Sequence, residues 1–231
     1  MHRKEPFAVG EVYYVFAGGV DKREIFTCQA DYERFVALLL FSNSCKPVRM
    51  GNLNSKYKGA SPIEILGRVM PEYAHTDLLA YALMPNHAHL VMREKCEGGI
   101  TVFMHKLMTA YSMYFNMRYE RSGPLFCRPF RAKRVPNDDY LRWLFAYIHL
   151  APITLADKGG SVRSFDMKIA GRFISQYGFS SFHDFVYGER LQTIVLSKSA
   201  WPIDLRRFRA FEDLLMEFSN YHPEHQGESL L

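Results

Sequence analysis

The pattern of hydrophobic and polar positions predicts three strands before residue 100. Glu11 to Ala17 is rich in β-branched and aromatic residues and is followed by Gly18-Gly19, which predicts a strand that ends in a turn. Leu78 to Met84 and His87 to Arg93 are two apolar runs separated by a Met84-Pro85-Asn86 turn. We predict that these two runs pair as antiparallel strands.

Helical spacing occurs in three longer segments. Asp31 to Cys45 is the first, and Ile100 to Tyr119 is the clearest, because its apolar residues recur at steps of three and four. A third helix is predicted to begin after Asn137, which can cap it, and to end near Pro152. Between the second and third helices, Phe130 to Val135 predicts a fourth, basic strand.

Three further segments complete the pattern. Lys46 to Pro62 is rich in Gly, Asn, Ser and Lys, which predicts a long surface loop. Ser61-Pro62 can start a short helix, with Ser as the cap and Pro in the first position. Arg206 to Tyr221 has one apolar face and is predicted to dock as an amphipathic helix.

The order of these elements up to about residue 152 is β-α-β-β-α-β-α, which predicts the α+β class. We predict a ferredoxin-like antiparallel sheet with helices on one face, followed by a helix-rich C-terminal extension. The predicted domain covers residues 1–158, and the extension that packs on it covers residues 159–231. The boundary is placed at Gly159-Gly160.

The composition is that of a globular protein rather than a disordered one, with 48% hydrophobic and 15% aromatic residues. No apolar run reaches the roughly 18 residues of a membrane span. No apolar segment follows the basic residues at the N-terminus, as a secretory signal requires. We therefore predict a cytoplasmic protein without membrane contact.

The sequence contains four scattered cysteines, Cys28, Cys45, Cys96 and Cys127. We interpret them as core or incidental thiols.

The formal net charge of +5 and the pI of about 9.0 are compatible with an acidic partner and by themselves say no more. Much of this charge lies between residues 118 and 134, where Glu120 is the one acidic residue. The cations there, which we predict to bind DNA, are Arg118, Arg121, Arg128, Arg131, Lys133 and Arg134. Aromatic residues between them can stack on bases, which favours single-stranded nucleic acid. A solvated basic loop explains the same pattern equally well.

Two histidines stand one residue apart in the third predicted strand. Alternate side chains of a strand point to the same face, so His87 and His89 are expected to lie side by side. Two convergent imidazoles can bind a divalent metal. The alternative is a pair of polar residues on a half-solvated strand face, and a pattern this short favours that alternative by itself.

Several motifs follow one another in an order that carries a resemblance. They are Tyr13, Val15 and Gly19 with Ile25-Phe26, then Met84-Pro85-Asn86-His87-Ala88-His89-Leu90, then Tyr111 to Asn116, then Arg121 to Phe126, then Tyr147-Ile148-His149-Leu150 with Pro152, and finally Ser180-Ser181-Phe182. In this order they resemble the HUH transposases, and within them the REP-associated tyrosine transposases. The resemblance covers about residues 10 to 188.

The resemblance implies a metal-dependent endonuclease and strand transferase that acts on single-stranded or hairpin DNA. His87 and His89 would bind Mg²⁺ or Mn²⁺, and Tyr147 would attack a phosphodiester to give a 5′-phosphotyrosine and a free 3′ hydroxyl. From the residues alone, Tyr147 is one aromatic of a predicted core stripe with Tyr140 and Trp143. The implied partner is DNA, and the implied assembly is a monomer or a homodimer.

The chain departs from this family where a third metal ligand is expected. Four residues after the tyrosine the family usually has a polar amide, and here the residue is Ala151, whose methyl group cannot coordinate a cation. Near the first strand, Tyr14 and Ala17-Gly18 replace polar residues of the family. Two alternatives follow: a relative that binds DNA hairpins without cutting them, and an unrelated protein that holds Zn²⁺. The second alternative ranks last because no third and fourth ligand has zinc-site spacing.

Overall fold

The protein is described by a computed structural model at residues 6–46, 48, 50–69, 74–156, 166–202, 205 and 207–220. Its four-stranded sheet contains β1 (Val12–Gly18), β2 (Thr76–Met84), β3 (His87–Glu94) and β4 (Arg131–Arg134). The strand order is β2-β3-β1-β4, and every neighbouring pair is antiparallel. This order confirms the predicted ferredoxin-like sheet of an α+β protein.

The helices among the described residues are α1 (Gln29–Asn43), α2 (Met50–Lys56), α3 (Pro62–Leu66), α4 (Gly99–Arg118), α5 (Asp138–Leu150), α6 (Met167–Gln176), α7 (Phe182–Val186) and α8 (Phe211–Asn220). The predicted first, second and third helices correspond to α1, α4 and α5. The predicted caps are also present, because Ser61 accepts a hydrogen bond from the Glu64 amide and Asn137 accepts one from the Tyr140 amide.

Two predicted segments differ from the structure. Helix α2 lies inside the segment that was predicted to be a loop. Met50 and Leu53 pack on the core, and this packing stabilises the helix although the composition of the segment is polar. Helix α8 begins at Phe211 rather than near residue 206. The Asp213 carboxylate accepts hydrogen bonds from the amides of Arg209 and Ala210, which ends the preceding loop. Arg206 and Tyr221, the predicted ends of this helix, lie outside the described residues.

The sheet is covered on both faces, whereas the sequence predicted helices on one face. Tyr13 and Val15 of β1 belong to the core shared with α1 and α4. Tyr14 and Phe16, which point the other way, pack with α5 and the C-terminal helices. The central strands carry buried residues on both sides, and such strands need a helical layer on each face.

Helix α5 crosses the second face of the sheet from one edge to the other. At its start, the Lys133 ammonium of β4 lies 5.5 Å from the centre of the Tyr140 ring. At its end, His149 Nε2 lies 2.8 Å from Ser181 Oγ, and the Ser181 amide donates to the Tyr81 carbonyl of β2. Both ends of α5 are therefore tied to opposite edges of the sheet.

The described part of the C-terminal extension packs on this same face. Its buried residues in that core are Ala170, Ile174, Phe182, Leu205, Phe208, Phe211 and Leu214. The predicted boundary at Gly159-Gly160 lies outside the described residues, so the division into residues 1–158 and 159–231 stays a prediction.

The described helices include none that combines the length and the apolar character needed to cross a bilayer. The predicted cytoplasmic location stays a prediction.

None of the four cysteines is in a disulfide, and none is fully buried: Cys28 is half-buried, and Cys45, Cys96 and Cys127 are exposed. All four lie on loops or turns at the surface, so of the two interpretations the structure supports incidental thiols and not core thiols.

Candidate functional site

His87 and His89 lie side by side on the face of β3 that α5 covers. Ala88 between them points into the opposite core, as strand alternation requires. The two Nε2 atoms are 2.9 Å apart. His89 is only 1% exposed, while His87 is half-buried and opens towards solvent. The predicted convergence of the two imidazoles is thus present in the structure.

The second ring nitrogen of each histidine has its own partner. His87 Nδ1 lies 2.6 Å from Asn86 Oδ1, and because an amide oxygen only accepts, Nδ1 carries the proton and Nε2 a lone pair. His89 Nδ1 lies 2.7 Å from Tyr14 Oη, which can donate or accept. When Tyr14 donates a hydrogen bond to His89 Nδ1, His89 Nε2 carries the proton and donates a hydrogen bond to His87 Nε2. When Tyr14 accepts, both Nε2 atoms present lone pairs to the same point.

Burial keeps both imidazoles neutral. It lowers the pKa of His87 to about 4, and together with the neighbouring His87 and His149 it lowers the pKa of His89 well below the ordinary value. Neutral imidazole is the form that binds metals. The separation of 2.9 Å also matches the spacing of adjacent ligands around an octahedral ion, roughly 3 Å for bonds of about 2.1 Å.

The pair therefore fits a small divalent cation, but the donor set is short. In the described part of the chain, no group of three or more His, Cys, Asp or Glu side chains is arranged to hold a metal. The two imidazoles would leave most positions of an octahedral ion to water or to substrate oxygens, which hard cations accept readily.

Tyr147 shares a cavity with the histidine pair. The cavity has a volume of about 210 Å³ and is lined by Met84, His87, His89, Tyr147, Leu150, Ala151, Thr154 and Phe218. The centre of the Tyr147 ring lies 5.9 Å from that of His89, with the two rings nearly perpendicular. Burial raises the pKa of the Tyr147 phenol, so the hydroxyl is protonated at neutral pH.

Ala151 lines the same cavity, one helical turn after Tyr147. The structure therefore places a methyl group where the resemblance implies a ligand. Thr154, which the sequence analysis did not identify, adds a hydroxyl to the lining, and this hydroxyl donates to the Ala151 carbonyl at 2.8 Å. The sequence holds a signal for Thr154, because the spacing from 147 to 151 to 154 is helical and continues the face of α5.

His149 lies on another side of α5 and has a structural role. Its Nδ1 lies 2.8 Å from the Phe145 carbonyl, which only accepts, so Nδ1 donates and Nε2 accepts from the Ser181 hydroxyl. Burial lowers the pKa of His149 to about 3, which keeps it neutral in this arrangement. These bonds hold the end of α5 against β2 and thereby set the position of Tyr147 over the histidine pair.

Four of the six predicted DNA-binding cations contact other groups of the protein, and one of them is Lys133, whose ammonium lies over the Tyr140 ring. Arg134 lies 2.8 Å from Glu11, and Arg121 donates to the Asn116 side chain at 2.6 Å. Arg118 Nε lies 3.7 Å from the buried Asp31 carboxylate. Such contacts reduce the charge that these side chains offer to a phosphate.

Arg131 and Lys133 lie on the face of the histidine pair. In the sheet register Arg131 is opposite Phe16, and Phe16 is opposite His89, so the three side chains form a row on one face. Arg131 is exposed and has no acidic partner among the described residues. Arg128, in the loop before β4, is exposed in the same way. Arg134 occupies the opposite face, since strand alternation separates it from Lys133.

The comparison with protein families agrees with the predicted resemblance. Residues 53–150 match the sequence model of the IS200-like transposase family. This stretch contains β2, β3, α4, β4 and α5, and hence the histidine pair and Tyr147. A solved REP-associated tyrosine transposase bound to a REP hairpin is similar with a TM-score of 0.45 and 13% identity, over 88% of this chain and 90% of that chain. No curated protein matches the chain.

Proposed function

We propose that this chain is an IS200-like transposase that cuts and rejoins single-stranded or hairpin DNA through a tyrosine nucleophile. The observation that carries the proposal is the meeting of Tyr147 with His87 and His89 in one cavity. A hydroxyl nucleophile beside two neutral imidazoles is the set of groups that such a phosphoryl transfer uses. The family match supports the proposal, because it spans all three residues.

The proposed reaction exchanges one phosphoester for another. The Tyr147 oxygen attacks the phosphorus and loses its proton, while the bond from phosphorus to the 3′ oxygen breaks and that oxygen gains a proton. The products are a 5′-phosphotyrosine and a strand with a free 3′ hydroxyl, and the reverse attack rejoins the strands. Mg²⁺ or Mn²⁺ held by His87 and His89 would polarise the phosphate and offset its developing charge.

A covalent adduct tests this function. The wild-type protein is incubated with a labelled hairpin oligonucleotide that carries single-stranded flanks, with Mn²⁺ or with EDTA, and is analysed on a denaturing gel. We expect a labelled band at the size of the protein plus DNA with Mn²⁺ and none with EDTA. A panel of hairpins that yields cleaved DNA without any adduct would contradict a tyrosine nucleophile.

A second candidate function is hairpin binding without cleavage. The observation that favours it is Ala151, which brings no donor atom to the cavity. This candidate predicts DNA binding that weakens with salt and no adduct with any hairpin. The two candidates therefore differ in a single measured product, and both keep DNA as the partner. The oligomeric state, monomer or homodimer, stays a prediction.

Asparagine at position 151 is expected to strengthen metal binding. In Ala151→Asn the side-chain oxygen enters the cavity beside the histidine pair, and one water ligand is replaced by a protein ligand. We expect Mn²⁺ affinity and the rate of adduct formation to rise about 10-fold, the low end of effects seen for groups around metal sites. Titration calorimetry with Mn²⁺ and the adduct gel measure the two quantities.

Ala156→Asn is the matched control for that variant, because Ala156 is exposed and does not line the cavity. It should leave both the Mn²⁺ affinity and the adduct rate unchanged. If Ala151→Asn and Ala156→Asn bind Mn²⁺ equally well, position 151 is not directed at the metal.

Arg131 is expected to contribute more to DNA binding than Arg134, although the two stand on one strand. Arg131→Ala should weaken binding of a single strand about 10-fold and reduce the slope of log affinity against log salt by about 0.7, the value for one phosphate contact on single-stranded DNA. Arg134→Ala should change little, because Arg134 already pairs with Glu11 on the other face. Fluorescence anisotropy at several salt concentrations measures both, and equal losses in the two variants would refute the assignment of the binding face.

A further inference from the structure

Phe16 occupies a specific place on the sheet next to the candidate site. Its ring centre lies 5.0 Å from that of His87 and 5.8 Å from that of His89. On its other side, the register places Arg131 of β4 directly opposite Phe16. The ring thus lies between the imidazole pair and an exposed cation, on one continuous face.

The ring is laid along the strand rather than raised from it. A Cβ atom on Gly18 would stand 2.8 Å from the Phe16 ring, so the ring extends over the glycine two residues on, where no side chain competes for the space. Phe16 is only half-buried, which leaves part of its surface open to solvent. A half-exposed aromatic ring lying along a sheet is the form of surface on which proteins stack single-stranded bases.

Phe16 and Tyr147 flank the histidine pair from different sides. The cavity that holds Tyr147 lies towards β2, since Met84 of β2 lines it and pairs with His87. Phe16 lies on β1, the neighbour of β3 on its other side. The scissile phosphate of the proposed reaction would therefore have the nucleophile on one side and Phe16 on the other.

In-line displacement relates the positions of Tyr147 and Phe16 to the path of the departing strand. The leaving oxygen departs from the side of the phosphorus opposite to the attacking oxygen. With Tyr147 on the β2 side, the departing strand is directed over β1, where Phe16 can contact a base and Arg131 a phosphate. A strand that follows this course meets the aromatic ring first and the cation next.

We propose that Phe16 is a stacking platform for one base of the bound single strand, with Arg131 beside it on the adjacent phosphate. This inference rests on the proposed function for the direction of the strand. The ligand class is any nucleobase, because every base has a face that can stack, so the platform acts without reading sequence.

The test compares two single strands that differ only in their bases. Wild-type protein, Phe16→Leu and Phe16→Tyr are titrated without added metal against a labelled twelve-residue oligothymidylate and against an abasic strand of the same length. We expect Phe16→Leu to bind the oligothymidylate about 10-fold more weakly and to bind the abasic strand as wild type does. Phe16→Tyr, which keeps an aromatic ring, should bind both strands normally.

Two results would overturn the platform. Equal losses on both strands would mean that Phe16 acts through the shape of the site, and no loss on the oligothymidylate would mean that no base contacts the ring. The adduct gel separates this inference from the proposed function. If the wild-type protein forms the adduct and Phe16→Leu binds the oligothymidylate as tightly as wild type, only the platform is refuted. If Phe16→Leu loses affinity for the oligothymidylate alone and no protein forms the adduct, only the cleavage function is refuted.

Discussion

Tyr147→Phe is expected to abolish the covalent protein–DNA adduct while leaving DNA binding intact. The substitution removes the nucleophilic oxygen and keeps the ring, which stacks on Trp143 with centroids 5.4 Å apart. Because no other hydroxyl of the cavity stands where the phenol does, we expect the adduct to fall at least about 1,000-fold, below detection on a denaturing gel. Binding of the same hairpin, measured by anisotropy, should change less than about twofold, since one hydroxyl contributes little to phosphate attraction.

Tyr140→Phe is the matched control for this prediction. Tyr140 lies on the same helix and contacts Trp143 from the other direction, near the start of α5 and away from the histidine pair. It should form the adduct at the wild-type rate. An adduct that persists in Tyr147→Phe, or that disappears in Tyr140→Phe instead, would remove Tyr147 from the proposed role.

His87→Ala is expected to abolish Mn²⁺ binding at the histidine pair. Two imidazoles are the donors that the described residues bring together here, so the loss of one leaves a single protein ligand. We expect the Mn²⁺ affinity to fall by at least about 100-fold, more than the loss of a group that only supports a ligand. Titration calorimetry measures this loss directly, without reliance on cleavage, and the adduct should disappear in parallel.

His105→Ala provides the control, because His105 is exposed on α4 at the other face of the sheet. It should retain wild-type Mn²⁺ affinity. Wild-type affinity in His87→Ala would show that the pair is not the metal site. Binding of Zn²⁺ with no detectable binding of Mn²⁺ would instead favour the unrelated zinc-binding protein considered above.

Most of the candidate site could be predicted because it depends on local periodicity. His87 and His89 share a face because a strand repeats every two residues. Tyr147 and Ala151 line one cavity because a helix brings residues four apart together. Their roles as ligands and nucleophile came from the order of the motifs, and these roles stay predictions until the variants are measured.

The rest of the site depends on contacts between distant parts of the chain. The Tyr14 hydroxyl reaches His89 from the neighbouring strand β1, and Ser181 anchors His149 from the extension. Neither contact has a signal in the spacing of residues, because sequence periodicity describes one element at a time. The same reason explains why the sequence did not reveal the ion pair of Arg134. A count of charges assigns Arg134 to DNA binding, whereas the structure pairs it with Glu11.

The sequence by itself determined the four strands, the three long helices that accompany them, their order and the residue types of the candidate site. It did so because hydrophobic periods and turn residues act within short stretches of chain. Only the tertiary structure decided that α5 covers a second face of the sheet and that Tyr147 meets the histidine pair there. It also decided that Phe16 lies between that pair and Arg131. These outcomes depend on which strands become neighbours and in what register, and that choice is made by packing over the whole chain.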